Sequence, residues 1–350
     1  MGREDQLIKE LALAVPSEIG ARRAGRSPRA SIRLGIGDDA AAVLPGRKAD
    51  LIVTCDVFLE GVHFLLDRHP PDSVGYKSLA RATSDIAAMG ATPRFFLLAL
   101  ALPQDRTGKW LSGFLRGMRR AARQLGLRLI GGDTTCYPSI SISITVFGEA
   151  SPGRAITRSG ARPGNILYVT GKLGRAQLGL ELIRNCSLGE MKRLIRRQNW
   201  PLSRHLYPHI RVKLGEWLAK HRIASSMIDI SDGLSTDLAH LCAASGVGAR
   251  VWAERIPRVA IPAKQSKLAR KLKLDPLEMA LHGGDDYELL FTVPRRLAKS
   301  LRSAPEFRDI TAIGEIERGK QILLVHSDGR AKPLKPGGWD PFRKRLTPVD

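Results

Sequence analysis

The sequence predicts two α/β (α+β) domains joined near residue 151. The chain has 350 residues, more than one domain usually holds, and 43% of them are hydrophobic, so that each half can bury a core. Short apolar runs alternate with stretches of helical periodicity in both halves. Residues 151–165 form a dense cluster of Pro and Gly, which is typical of a domain boundary. We therefore expect domains at 1–150 and 151–350.

The elements of the first half follow from its apolar patterns. Apolar runs predict buried strands at 51–56 and 95–102. Between them, residues 73–89 repeat with helical spacing and Gly90 supplies a stop, so we expect a helix there. Residues 140–146 alternate strictly between apolar and hydroxyl side chains, which predicts a strand with an antiparallel partner. Its hydroxyl face is expected to meet solvent or another subunit.

The second half begins again with a strand at 166–169. Helices are expected at 176–186, 191–200, 210–221 and 234–245, and strands at 227–230, 250–252, 288–293 and 322–326. This alternation indicates an α/β domain rather than a helical bundle.

The charge of the chain raises a nucleic-acid partner as an alternative. The formal net charge is +22 and the sequence pI is near 10.4. The basic residues at 116–128, 192–197 and 264–273 are interleaved with Leu, Ile or Ala at helical spacing, which indicates solvated helix faces. Aromatic residues make up only 5% of the chain and no nucleic-acid-binding motif is present. A basic nucleic-acid-binding protein is therefore the distant alternative, and we expect no nucleic-acid partner.

Cysteine usage and the N-terminus predict a cytoplasmic protein. The four cysteines, Cys55, Cys136, Cys186 and Cys242, lie far apart without a C-x-x-C pair, so neither a zinc site nor a disulfide framework is indicated. Residues 1–15 lack the uninterrupted apolar segment of a signal peptide or a membrane span, so no membrane partner is expected.

Motifs rich in Gly and Asp are the main indication of function. They lie at 35–39, 131–134, 229–233 and 283–286. Asp supplies charge and Gly lets the backbone approach closely, and divalent metal ions and nucleotide phosphates need both. Each motif alone could be a surface turn, and Ser231 or Asp232 could be an N-cap. Because several turns and strand ends deliver acids together, we predict a shared site for metal and nucleotide.

These motifs resemble, in their order, those of the thiamine-monophosphate kinase family. The blocks are GIGDDA at 35–40, Asp56 with EGVHF at 60–64, SDIAAMGA at 84–91, GGDT at 131–134, TRSG at 157–160, DISDGL at 229–234 and GGDDYEL at 283–289. The resemblance covers nearly the whole chain. It implies a two-domain aminoimidazole ribonucleotide synthetase-like fold, in which the N-terminal sheet pairs with that of a second subunit in a homodimer. The C-terminal domain would complete the nucleotide and substrate sites.

The resemblance also implies an activity, the ATP-dependent phosphorylation of thiamine monophosphate to thiamine diphosphate. The substrate phosphate would attack the γ-phosphoryl group directly and in line. Two polyanions must meet, so several Mg²⁺ ions and precise positioning would provide most of the catalysis. The alternative is another ATP-using enzyme of the same superfamily with a different small acceptor; His63 and the tail at 337–340 favour a thiamine-like acceptor.

By motif match, the resemblance assigns roles to individual residues. Metal ligands are expected at Asp39, Thr54, Cys55, Asp56, Asp85, Asp133, Asp229 and Asp232. The nucleotide is expected at Gly132, Asp133, Arg158 and Ser231, and the acceptor at His63, Asp285 and Trp339. Asp56, Asp133 and Asp232 would carry the catalytic step. Asp285 and Trp339 each follow two glycines, so both are expected on flexible turns.

Three positions depart from the family pattern. Cys55 stands where many members have Thr, so a ligand from this residue would be its backbone carbonyl. Asp285 replaces a more common Glu. Leu115 replaces an aromatic residue often found after Phe114.

Overall fold

The computed structural model describes residues 31–34, 41–44, 49–187, 189–190, 193, 200–261 and 266–343. The motif at 35–40, with Asp39, lies outside these residues. So does most of the helix expected at 191–200.

The N-terminal half forms a six-stranded sheet. Its strands are β1 Ser31–Leu34, β2 Ala41–Leu44, β3 Asp50–Leu59, β4 Thr92–Leu102, β5 Arg128–Cys136 and β6 Ser141–Ala150, in the order β1-β2-β3-β6-β4-β5. Neighbouring strands are antiparallel except β4 and β5, which run parallel. Helix α1 Pro71–Ala88 packs on β3, β4 and β6, and α2 Lys109–Leu125 packs on α1.

The two helices approach closely because glycine lies at their contact. A Cβ atom on Gly117 would lie 1.7 Å from the carbonyl oxygen of Asp72, and one on Gly75 would lie 1.9 Å from that of Phe114. The opposite face of α2 exposes Arg116, Arg119 and Arg123, so this part of the basic run is the solvated helix face that its spacing predicts. Arg128, expected on the same helix, lies on β5 instead, because α2 ends at Leu125 before Gly126.

The predicted alternation of β6 is confirmed. Ile142, Ile144 and Val146 are buried, whereas the hydroxyl residues between them are half-buried. The strand pairs antiparallel with β3 on one side and β4 on the other. An apolar face on the core and a hydroxyl face turned away is the pattern expected of such a strand.

The motif at 131–134 differs from the turn that its composition suggests, because strand β5 runs through it. Gly132 has φ 152°, and a Cβ atom there would lie 1.8 Å from the carbonyl oxygen of Leu98 on β4. The glycine therefore serves close strand pairing rather than a reversal of the chain. All residues of β5 are exposed, including Leu129 and Ile130.

The C-terminal half forms a seven-stranded sheet with helices around it. The strands are β7 Ile166–Thr170, β8 Ser226–Ile230, β9 Gly248–Trp252, β10 Glu288–Val293, β11 Ile310–Glu317, β12 Ile322–Val325 and β13 Ala331–Pro333, in the order β13-β12-β9-β11-β7-β10-β8. Only β9 and β12 pair in parallel among these described strands. The helices are α3 Arg175–Asn185, α4 Trp200–Leu206, α5 Val212–Lys220, α6 Leu234–Ser245, α7 Ser266–Lys271 and α8 Pro276–His282. This half also has 3₁₀ segments at Ala253–Arg255, Arg295–Ser303 and Phe307–Asp309, and the N-terminal half has one at Gln104–Arg106.

The predicted strands of this half and its helices at 176–186, 210–221 and 234–245 are confirmed, but β11, β13, α4 and α8 were missed. Strand β11 contains Gly314, and its pairing with β7 shifts between Ala312 and Gly314. A Cβ atom on Gly314 would lie 2.3 Å from the carbonyl oxygen of Arg250, so a close approach of strands requires glycine there. That interruption hides the strand from a search for alternation.

Helix α1 lies between the two halves. It packs on β3 and β6 of the N-terminal sheet and also contacts β8 and α5 of the C-terminal half. Most of its residues are buried, including the charged residue Lys77. Within the described chain, no helix combines the length and the apolarity that a membrane crossing requires.

Candidate active site

Strand β3 carries three of the predicted site residues, within the strand rather than at its end. Thr54 and Asp56 lie on one face and Cys55 on the other, since side chains alternate along a strand. The hydroxyl of Thr54 donates to Oδ2 of Asp85 on α1 at 2.5 Å. Cys55 Sγ instead lies 3.5 Å from Ser143 Oγ on the exposed side. The Cys55 side chain is therefore directed away from Thr54 and Asp56, and only its backbone lies near those two residues.

Asp56 is paired with an arginine that sequence reasoning missed. Arg81 Nε donates to Asp56 Oδ2 at 2.9 Å, and Nη2 donates to Oδ1 at 3.4 Å. The guanidinium also lies over the ring of Phe58, 5.4 Å from its centroid. Burial lowers the pKa of Arg81, but Asp56 and the other acidic groups nearby together outweigh this and raise it above its usual range. The only sequence feature that indicates a role for Arg81 at this site is its position on α1, one turn before Asp85.

The acids near β3 fit a metal that is shared with a nucleotide. Within the described residues, no three His, Cys, Asp or Glu side chains are grouped closely enough to hold a metal ion alone. Mg²⁺ usually binds one or two carboxylates and takes its remaining ligands from phosphates and water. The Asp56 and Asp85 carboxylates and the Thr54 hydroxyl are hard oxygen donors of that kind. Asp39 lies outside the described residues.

Asp133 is separated from these acids along the sheet. Asp56 is opposite Ile144, Ile144 is opposite Leu98, and Leu98 is opposite Gly132. Three strand spacings of about 4.8 Å place Gly132 about 14 Å from Asp56 along the sheet. Asp133 is exposed, and its Oδ1 accepts a hydrogen bond from the backbone N–H of Thr134 at 2.8 Å.

The turn at 229–233 joins β8 to α6 as predicted. Asp229 is buried in β8, at 2% exposure, while Ser231 and Asp232 follow the strand. The N-cap position is Gly233, so neither Ser231 nor Asp232 caps the helix. Asp237 holds the turn, because its Oδ2 accepts from the backbone N–H groups of Asp232 at 3.2 Å and Gly233 at 3.0 Å. The side chains of Ser231 and Asp232 are therefore not used as caps.

Arg158, expected near the nucleotide, lies in the segment between β6 and β7. Its backbone carbonyl accepts a hydrogen bond from the hydroxyl of Ser245, the last residue of α6, at 2.9 Å. This contact places the backbone of residue 158 at the C-terminal end of α6, whose 12 residues separate it from the 229–233 turn by about 17 Å. Phe114 is fully buried and stacks on Trp110 with 5.4 Å between ring centroids, while Leu115 is exposed.

Asp285 lies in the loop between α8 and β10 with both carboxylate oxygens engaged. Lys77 Nζ donates to Oδ2 at 2.8 Å, and the Tyr287 hydroxyl donates to Oδ1 at 2.6 Å. The backbone N–H of Asp285 donates to the carbonyl of Ser231 at 2.8 Å, which joins this loop to the 229–233 turn. The expectation of a flexible turn is wrong for Asp285, because three contacts fix it.

Burial and charge act in opposite directions on this carboxylate. Burial favours the neutral acid, but the nearby cations, chiefly Lys77 and then Arg81, together with the hydrogen bond from Lys77 outweigh it and hold the pKa of Asp285 well below its usual range. Burial lowers the pKa of Lys77, and the charge of Asp285 opposes that change. The 2.8 Å contact between Lys77 Nζ and Asp285 Oδ2 has the geometry of an ion pair.

His63 and Trp339 come together from opposite ends of the chain. Their ring centroids lie 6.5 Å apart at an interplanar angle of 48°. His63 Nδ1 accepts from the backbone N–H of Leu59 at 2.9 Å. Trp339 is held by its own backbone, whose N–H donates to the carbonyl of Asp232 at 2.9 Å.

The tail before Trp339 is also anchored. The N–H groups of Gly337 and Gly338 donate to the hydroxyls of Ser235 and Thr236, each at 3.1 Å. A Cβ atom on Gly338 would lie 2.0 Å from the carbonyl oxygen of Asp232. The glycines of the tail therefore allow it to pack closely on α6. The expectation of a flexible turn before Trp339 is wrong.

Comparison with protein-family models defines the class first. The model described as AIR synthase related protein, N-terminal domain, matches residues 37–150. The model described as AIR synthase related protein, C-terminal domain, matches residues 162–326. This confirms the two-domain α/β fold of the AIR synthase related class.

Individual relatives define the family within that class. The chain is 38% identical over 321 residues to the thiamine-monophosphate kinase of Escherichia coli strain K12, covering 91% of this chain and 94% of the relative. It is 36% identical to that of Aquifex aeolicus strain VF5, covering 88% and 92%. A structure of AaThiL complexed with AMPPCP and TMP matches with a TM-score of 0.77 and 32% identity, over 97% of each chain. The chain belongs to the thiamine-monophosphate kinase family.

Proposed function

We propose that this protein is a kinase that transfers the γ-phosphoryl group of ATP to thiamine monophosphate, giving thiamine diphosphate. The observation that carries this proposal is the match over 97% of each chain to a relative complexed with AMPPCP, a non-hydrolysable analogue of ATP, and TMP. His63 and Trp339 lie close together, and the backbone of Trp339 is bonded to Asp232 of the 229–233 turn. Two neighbouring aromatic rings beside that turn support a planar acceptor.

The acids on β3 and α1 are proposed to serve the metal and the nucleotide. Asp56, the Asp85 carboxylate and the Thr54 hydroxyl would hold Mg²⁺ together with phosphate oxygens. The metal would screen the charge of two polyanions that must approach each other. Asp39, the Cys55 carbonyl, Asp133, Asp229 and Asp232 are the further proposed ligands.

The nucleotide is proposed to approach the 229–233 turn and residues 132 and 158. The start of α6 carries the positive end of a helix dipole, which favours phosphate. Ser231 and Asp232 lie there with side chains that are not used as helix caps. Gly132 and Asp133 would contribute from the exposed strand β5.

The acceptor is proposed to lie against His63, Trp339 and Asp285. Thiamine has a cationic thiazolium ring and a planar aminopyrimidine. An aromatic face can stack on either ring, and a carboxylate can accept a hydrogen bond or balance the charge. The Asp285 side chain is 32% exposed, so it can be reached from solvent.

A homodimer is proposed on the evidence of β5. This edge strand is exposed along its whole length, with Leu129 at 53%, Ile130 at 57% and Tyr137 at 55% exposure just beyond its end. A long exposed edge strand with apolar side chains such as Leu129 and Ile130 is usually covered in a native protein. Pairing with the sheet of a second subunit would cover it.

The domain division and the compartment belong to the same proposal. The break between the two sheets, from Ala150 at the end of β6 to Ile166 at the start of β7, supports domains at 1–150 and 151–350. The free thiols of Cys55 and Cys136 are exposed, in keeping with a reducing cytoplasm.

A steady-state assay tests the proposed reaction. Purified protein with Mg²⁺ and ATP is given thiamine monophosphate, thiamine or an aminoimidazole ribonucleotide precursor, and the products are separated by chromatography. We expect ADP and thiamine diphosphate in equal amounts from thiamine monophosphate only. Turnover of another acceptor with none of thiamine monophosphate would contradict the proposal and favour a different enzyme of the class.

A further inference from the structure

Lys77 is a charged residue in a place where most helices carry an apolar one. Its side chain is 2% exposed, on the packed face of α1 between the two halves of the molecule. Removing an ammonium from water costs several kcal/mol, and an apolar side chain of similar size often stabilises such a position equally well or better. Core packing therefore does not explain a lysine here.

The charge of Lys77 is directed at one carboxylate. Its Nζ lies 2.8 Å from Oδ2 of Asp285, and the ring nitrogens of His205 lie 3.4 and 3.5 Å away. His205 is itself buried and its Nε2 lies 3.3 Å from Nε2 of His69. Burial lowers the pKa of His69 to about 3 and also lowers that of His205. His205 Nδ1 also lies 3.9 Å from Asp285 Oδ2, so this ring lies beside the ion pair.

The loop that carries Asp285 has a backbone that needs support. Asp285 has φ 67° and Tyr287 has φ 49°, values that L residues rarely adopt. Lys77 holds one carboxylate oxygen and Tyr287 the other, so the orientation of the Asp285 side chain is fully determined. Lys77 and Asp285 are 208 residues apart in the chain, and their contact ties the N-terminal helix α1 to a C-terminal loop.

We propose that Lys77 is a positioning residue of the acceptor site, which fixes the Asp285 carboxylate for a cationic or amino-bearing heteroaromatic acceptor. The inference rests on the proposed function, in which Asp285 faces thiamine monophosphate. A carboxylate held in one orientation loses little freedom when the acceptor binds, and this preorganisation increases affinity. Lys77 itself is too deeply buried to contact either substrate.

The test compares Lys77→Met with a control that removes a cation from an exposed ion pair. Arg250→Met is that control, since Arg250 is 44% exposed and pairs with Glu317 at 2.8 Å on the far part of the C-terminal sheet. For Lys77→Met we expect the KM for thiamine monophosphate to rise about tenfold while the KM for ATP changes by less than about twofold. The control should leave both constants unchanged. Calorimetric titration with thiamine monophosphate should show the same loss of affinity.

A double-mutant cycle shows whether Lys77 acts through Asp285. Once Asp285→Asn has removed the carboxylate, the added Lys77→Met change should raise the KM for thiamine monophosphate by less than about twofold. Equal losses for both substrates, or additive effects in the cycle, would overturn the proposal and leave Lys77 a structural residue. If wild type does not phosphorylate thiamine monophosphate at all, the proposed function fails before this inference is reached.

Tyr287→Phe keeps the test decisive if Lys77→Met does not fold. It removes only the hydroxyl that donates to Asp285 Oδ1 and leaves the ion pair in place. We expect a rise of about fivefold in the KM for thiamine monophosphate, the value of one hydrogen bond, with the KM for ATP unchanged. An unchanged KM for thiamine monophosphate would show that the orientation of Asp285 does not matter and would overturn the proposal.

Discussion

The Arg81 guanidinium donates hydrogen bonds to both oxygens of the Asp56 carboxylate, from Nε to Oδ2 at 2.9 Å and from Nη2 to Oδ1 at 3.4 Å. Arg81 follows Lys77 by one turn of α1. The same helix therefore presents two cations, one to Asp56 and the other to Asp285. These are the acids proposed for the metal and for the acceptor, so α1 sets the charge at both parts of the site.

Asp56→Asn should fold but lose most of its turnover. The amide oxygen can still accept one hydrogen bond from Arg81, so the packing of α1 on β3 is retained, whereas a hard anionic ligand for Mg²⁺ is lost. Turnover measured across a Mg²⁺ titration should fall most at limiting metal. Near-normal turnover at limiting Mg²⁺, with an unchanged unfolding temperature, would remove Asp56 from the metal site.

Arg81→Met should lower the amount of Mg²⁺ that the enzyme needs. The guanidinium occupies the carboxylate that is proposed to bind the metal, so its removal frees a ligand and a negative charge. We expect the half-saturating Mg²⁺ concentration to fall about threefold, and direct titration with Mn²⁺ to show tighter binding. A higher Mg²⁺ requirement together with a higher KM for ATP would instead show that Arg81 contacts phosphate.

Trp339→Ala should raise the KM for thiamine monophosphate by about tenfold, the value of a partly desolvated cation–aromatic contact. The anchor of the tail is the backbone N–H of Trp339, so the substitution removes the ring and keeps the attachment to Asp232. The KM for ATP should not change. Phe342→Ala, at an exposed aromatic of the same tail, is the matched control. A fall in unfolding temperature with unchanged kinetics would make the tail purely structural.

Asp286 should make stability depend on pH. Its oxygens accept from the backbone N–H groups of Gly174 at 2.5 Å and Ala176 at 3.0 Å, at the start of α3. Burial nevertheless raises its pKa from 3.8 to about 7. Between these values the folded chain holds a proton that the unfolded chain has lost, so the contribution of Asp286 to stability decreases as pH rises through this window.

Asp286→Asn isolates this effect because the amide does not titrate. The unfolding temperature of wild type minus that of the variant should decrease from pH 5 to pH 8, as thermal unfolding monitored by circular dichroism would show. Parallel curves for the two proteins across this range would contradict the raised pKa.

Ile130→Lys should convert the proposed dimer to a monomer. A lysine on an exposed edge strand opposes pairing with another sheet, and Ile130 is 57% exposed on β5. Sedimentation velocity should show a single species of monomer mass. Phe307→Lys, which changes an exposed apolar residue of the C-terminal half, should leave the wild-type mass. A wild-type protein that sediments as a monomer would refute the proposed dimer.

The local pattern of apolar and polar residues was sufficient to predict many of the helices and strands. The alternation of Ile and hydroxyl residues gave β6 with its antiparallel pairing, and helical repeats followed by Gly90 gave α1. Both signals depend on neighbours a few residues apart, which is the range over which periodicity carries information. Strand β11 was missed because Gly314 interrupts its pattern for the sake of a close approach to β9, a requirement set by a distant strand.

The sequence by itself determined the two-domain α/β fold, the order of the motifs and, through that order, the family. Only the tertiary structure decided which charges meet. It pairs Lys77 with Asp285 and Arg81 with Asp56, assigns Asp237 to the 229–233 turn, and keeps Asp133 three strands from Asp56. The reason is physical: periodicity fixes which face of α1 is buried, whereas the partner of a buried charge depends on the elements that pack against that face. For Lys77 that element is a loop of the other half of the chain, and for Arg81 it is strand β3 of the same half.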